Sequence, residues 1–89
     1  MRLRWTAPAA KDLYNITRYI RRDNPTAARE VAKTIYDGCE SLVNFRIADA
    51  KKDRQAPVRW YSPLRYIVVY RVIEDTVEIL HIWHGAQGR

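Results

Sequence analysis

Seven consecutive residues, Tyr66-Ile67-Val68-Val69-Tyr70-Arg71-Val72, place apolar side chains on both sides of an extended chain. A strand turns successive side chains to opposite faces, so such a run belongs where both faces are covered, at the centre of a sheet. Glu74-Asp75 then offers a turn, and Thr76-Val77-Glu78-Ile79-Leu80-His81-Ile82-Trp83 returns antiparallel. Upstream, Val58-Arg59-Trp60-Tyr61 reads as a short strand and Ser62-Pro63-Leu64-Arg65 as the turn that follows it. A sheet built this way needs a second layer to lie against.

That layer comes from the first half of the chain. Arg2-Leu3-Arg4-Trp5 alternates, with Leu3 and Trp5 on one side, and reads as a short strand. Thr6 is placed to cap a helix, with Pro8 tolerated in its first turn. The spacing of Ala9, Leu13, Ile16 and Ile20 predicts a helix from Ala7 to Arg22 with that stripe facing the core. Asp23-Asn24-Pro25 interrupts it, with Asn24 able to cap a second helix and Pro25 at that helix's first position. Ala28, Val31, Ile35, Cys39 and Leu42 then mark the buried stripe of a helix from Thr26 to Asn44. So short a connection makes the two helices antiparallel neighbours. Residues 45–57 show no clean period and read as a loop with a basic centre. The expectation is one α+β domain over residues 1–89, of order β-α-α-β-β-β, with an antiparallel sheet packed against an N-terminal helical hairpin.

Charge narrows the partners. The net charge is +6, and residues 1–34 carry eight Lys/Arg against three acidic residues, whereas residues 35–89 carry eight against seven. An acidic partner is expected: nucleic acid, an acidic protein surface or an acidic peptide. Cys39 is the only cysteine, so no internal disulfide and no cysteine metal site is expected, which fits a reducing cytosol. Its place on the apolar stripe of the second helix makes it core filling rather than a nucleophile. No apolar run is long enough for a membrane span, and Met1-Arg2-Leu3-Arg4-Trp5 lacks the apolar stretch of a signal peptide, so a cytoplasmic protein without membrane contact is expected.

Motifs for chemistry are sparse. There is no Gly-rich phosphate loop, nucleophile elbow or HExxH metal site, and no cofactor or metal is expected. His81 and His84 are three apart on a strand and face opposite sides, so they do not form a joint metal site without a bend. His84, at the strand's end, reads either as a functional polar group or as a structural hydrogen-bonder. Lys51, Lys52, Arg54, Arg59, Arg65 and Arg71 form a second cationic set, beside Tyr61, Tyr66 and Tyr70. Arginines on a sheet can hold phosphate by bidentate hydrogen bonds, and they can equally hold a partner's carboxylates.

Two stretches together resemble a known family. Trp5-Thr6, Asp12-Leu13, Ile16, Tyr19-Ile20, Asn24-Pro25 and Ala27-Ala28 are similar to the opening helical hairpin of the RelE/ParE toxin superfamily. Tyr66-Ile67-Val68-Val69-Tyr70-Arg71, then Val77-Glu78-Ile79-Leu80, Ile82 and His84-Gly85-Ala86-Gln87, resemble its terminal hairpin, most closely in the ParE branch. The middle departs from that branch: no Gly-Arg follows the second helix, and of its later strand motif only Arg59 is kept. The resemblance implies the toxin of a type II toxin–antitoxin system. It would be neutralised by a cognate antitoxin wrapping the helical hairpin and sheet, and would contact operator DNA only indirectly, through that antitoxin. A ParE-type toxin poisons DNA gyrase by binding rather than turnover. On that reading the partner-binding residues are Lys11, Arg18, Arg22, Arg59, Arg65 and Arg71. Two alternatives stay open. One is a RelE-like, ribosome-dependent mRNA endoribonuclease, with Arg59, Arg71 and His84, helped by Lys51 and Lys52, as its catalytic set. The other is an attenuated toxin that only binds its antitoxin.

Overall fold

A computed structural model describes residues 2–44, 57–61 and 65–84, with only the backbone for 58–61. The elements follow the order β1 (Arg2–Trp5), α1 (Ala7–Arg21), α2 (Pro25–Asn44), β2 (Val58–Tyr61), β3 (Tyr66–Ile73) and β4 (Thr76–His84). The α+β order is the expected one, and most element limits fall within one residue of expectation. Residues 45–56, with the basic loop centre Lys51, Lys52 and Arg54, lie outside the described residues.

Local chemistry accounts for both helices. Thr6 is extended, and its side chain accepts from the Ala9 N–H at the start of α1. Arg18 and Arg21 stand in the last turn, where cations suit the negative end of the helix dipole. Asn24 Oδ1 accepts from the Ala27 N–H at 3.0 Å, the cap expected for α2. On α2 the whole apolar stripe, Ala28, Val31, Ile35, Cys39 and Leu42, is buried. On α1 only Ala9 and Leu13 are fully buried, while Ile16 and Ile20 are half-buried at the core's margin. Trp5 and Tyr36 meet with ring centroids 5.2 Å apart, which ties β1 to α2.

The sheet has the order β1-β4-β3-β2. β2, β3 and β4 are antiparallel neighbours, as expected, but β1 lies parallel to β4, so the sheet is mixed rather than wholly antiparallel. Parallel neighbours need a long crossover, and α1 through β3 supplies it. Along β3, Tyr66, Val68, Tyr70 and Val72 pack toward the helices, while Ile67 and Val69 are buried outside that cluster. The strand is thus covered on both faces, as its composition requires. β4 carries a bulge: Val69 pairs with His81 and Tyr70 with Ile79, which leaves Leu80 without a partner residue. The extra residue changes the phase of the strand. Val77 and Ile79 face the helices before it, and Ile82 does so after it. In the two-residue turn between β3 and β4, Glu74 takes a left-handed φ of 55°.

Cys39 is fully buried, and burial pushes its thiol pKa up to about 12. A thiol-specific reagent at pH 8 is therefore expected to leave the native protein unlabelled and to react only as fast as the protein unfolds. Rapid native labelling would show that α2 opens locally.

Candidate functional site

Three strands converge on one carboxylate. Glu78, at the middle of β4, stands in register with Arg4 on β1 and Arg71 on β3. Its side chain is 9% exposed, and it accepts from Arg71 Nε at 2.8 Å and from Arg4 Nη1. This trio lies on the sheet face away from the helices, because its neighbours Leu3, Trp5, Val77 and Ile79 pack toward them. The hydrogen bond from Arg71, with the positive charges of both arginines, holds the Glu78 carboxyl below its ordinary pKa although burial acts the other way. A folded-state pKa below the unfolded one adds stability that is present at neutral pH. That stability is lost as pH falls from about 4.5 through the lowered value. Urea melts between pH 7 and pH 3 are expected to show this loss, and Glu78→Gln to flatten it.

The second polar centre joins α1 to β4. Beyond Trp5, β1 ends and the edge of β4 is left to α1. The Thr6 N–H and Oγ1 both donate to the Ile79 carbonyl, at 3.2 and 2.6 Å. Further along α1, Asp12 Oδ2 accepts from the Ile82 N–H and from His81 Nδ1, each at 3.0 Å. The carboxylate only accepts, so Nδ1 of His81 carries the proton. The His81 ring also stacks on Trp83, with centroids 5.7 Å apart at 24°.

The third feature is a groove of about 480 Å³ between α1 and the outer ends of β3 and β4, lined by Asn15, Ile16, Tyr19, Ile20, Tyr66 and His84. His84 is exposed and meets the Tyr66 ring edge-on, with centroids 5.3 Å apart. Burial raises the pKa of Tyr66 and Tyr70, so both stay protonated and apolar in character at neutral pH.

The residues singled out from sequence do not gather in one place. Lys11, Arg18 and Arg22 are exposed along α1 and have no ion-pair partner among the described residues. Arg65 is exposed with a left-handed φ of 67°. Arg71 is held by Glu78 on the face away from the helices, while His84 sits with Tyr66 on the helix side. Arg59 stands opposite Val69 in the backbone register, and its side chain lies outside the described residues. Asp12 and Glu78 were not singled out for roles. The sequence signal for Glu78 is a lone acid between Val77 and Ile79, because an acid set among apolar strand residues needs a cationic neighbour once buried. Among the described residues no group of three His, Cys, Asp or Glu side chains is placed to hold a metal ion.

Comparison with known proteins decides the family. Residues 3–88 match the family described as the ParE toxin of the type II toxin-antitoxin system parDE. The chain belongs to the ParE toxin family. A relative from Sinorhizobium fredii, named "Putative toxin Y4kP", is 33% identical over 90 aligned positions, which cover 97% of this chain and 90% of the relative. A solved structure titled as the chromosomal ParDE TA system from P. aeruginosa shares the fold with a TM-score of 0.80 at 21% identity. That match covers 94% of this chain and 95% of that one. The match takes in the middle of the chain as well as its two ends. In this ParE toxin the Glu78 and Asp12 centres are joints between elements, the first between β1, β3 and β4 and the second between α1 and β4. No helix among the described residues is long and apolar enough to cross a membrane.

Proposed function

We propose that this ParE toxin acts in the cytoplasm by binding DNA gyrase and poisoning it, and that a cognate antitoxin neutralises it. The observation that carries the reading is the family match over residues 3–88, which takes in all of the described elements but Arg2 at the start of β1. The geometry supports action by binding. Phosphodiester cleavage needs a base, an acid and cations around one phosphate. Arg71 is engaged by Glu78 on one side of the sheet, and His84 lies on the other. The antitoxin is expected to contribute an amphipathic, acidic segment that suits the basic first third of the chain. A ligand that binds only the folded toxin stabilises it by about 2.7 kcal/mol at a hundredfold excess over Kd.

The test is to induce the protein without its antitoxin. DNA-damage signalling, loss of gyrase supercoiling and intact transcripts are the expected result. Ribosome-dependent cuts in messenger RNA would overturn it in favour of a RelE-like activity. Normal growth with retained antitoxin binding would mark an attenuated toxin.

A further inference from the structure

We propose that the tip of the helical hairpin is a docking surface for the phosphate backbone of DNA, with Arg21 and Arg29 as its centre. The two arginines come from different helices, α1 and α2, and line one surface hollow of about 280 Å³ with Thr17, Pro25, Ala28 and Ala32. Arg18 on α1 and Arg22 just past its end are also exposed. None of these four arginine side chains has an ion-pair or hydrogen-bond partner among the described residues, although Asp23 and Glu30 are close in sequence. Elsewhere the described cations include engaged ones: Arg4 and Arg71 by Glu78, and Lys33 by Asp37.

The composition of the hollow selects the partner. Unpaired guanidiniums present planar, paired donors that match phosphate oxygens. An acidic protein segment would also be attracted, but protein interfaces are anchored by aromatic or branched apolar side chains set in pockets. The tip hollow is lined by two arginines, a threonine, a proline and two alanines, with no such anchor. The exposed aromatic nearest in sequence, Tyr19, lines the separate groove beside Tyr66 and His84. Charge without an apolar anchor is the footprint of backbone contact with nucleic acid. The toxin would then touch DNA directly, where the sequence reading expected only indirect contact with operator DNA through an antitoxin.

The test measures binding of the full chain to a fluorescent duplex of random sequence, by anisotropy, over a series of salt concentrations. Each phosphate contact adds about 0.9 to the steepness of log K against log salt. Arg21→Gln/Arg29→Gln is expected to flatten that dependence by about 2. Arg2→Gln/Arg4→Gln, which removes the same charge from β1 on the sheet face away from the helices, should leave it unchanged. Arg21→Lys/Arg29→Lys keeps both charges and should restore the steepness. An unchanged dependence in the Gln pair, equal flattening in the control pair, or loss of binding to polyglutamate with DNA binding intact would each overturn the proposal. The inference stands apart from gyrase. Salt-dependent DNA binding at the tip with unimpaired gyrase sinks only the proposed function. Gyrase poisoning with a tip-independent salt dependence sinks only this one.

Discussion

Replacing Ile35 with Ala is expected to cost about 2–5 kcal/mol of folding stability. Ile35 is fully buried and sits in the cluster that joins Ala9 and Leu13 of α1 to Val68, Tyr70 and Val77 of the sheet. The change removes apolar atoms and leaves a void that rigid neighbours fill only in part. In a domain of this size each kcal/mol moves Tm by roughly 4–8 °C. A thermal melt should therefore drop by about 10 °C or more. A surface change on the same helix, Lys33→Ala, removes an exposed pair with Asp37 and should cost about 0.5 kcal/mol or less. Equal losses from the two variants would show that the core is not centred on α2.

Asp12→Ala is the second large effect, at about 1–3 kcal/mol. Its carboxylate takes the N–H of Ile82, a residue 2% exposed, at the part of the β4 edge that β1 does not reach. Without it that buried amide has lost its acceptor, and an unmade buried hydrogen bond costs more than a made one contributes. His81→Ala removes only a half-exposed ring and should cost less. Denaturant unfolding checks the order, and faster hydrogen exchange at the Ile82 amide in the Asp12 variant checks the cause. If His81→Ala costs as much as Asp12→Ala, the imidazole rather than the amide is what Asp12 holds in place.

Much of this architecture is readable from local pattern, and the exceptions share a reason. The stripe on α2 is buried residue by residue, because a helix has one inward face and the period of apolar residues names it. The caps at Thr6 and Asn24 are local too. The same period over-reads Ile16 and Ile20, which end α1 beside an open groove rather than under the sheet. The parallel pairing of β1 with β4 joins residues such as Arg4 and Glu78, 74 positions apart, and nothing near either strand announces it. The bulge at Leu80 is hidden because Ile79, Leu80, Ile82 and Trp83 are all apolar, so either phase satisfies the pattern. Among the site residues, Arg71 reads as free to meet a partner only until its cross-strand neighbour is known. Asp12 reads as an ordinary acid on a helix because its role depends on where a distant strand runs out.

The strand order also has a consequence for synthesis. β4 is an inner strand of the sheet, flanked by β1 and β3, yet it is the last described element to leave the ribosome. Until it emerges, β1 has no neighbour, Asp12 has no amide to accept, and the Thr6 hydroxyl has no carbonyl. The nascent chain can form its helices early but cannot close its sheet. A surface shaped by the finished fold thus comes into being only after β4 has been made, and a chain cut short before β4 would lack it.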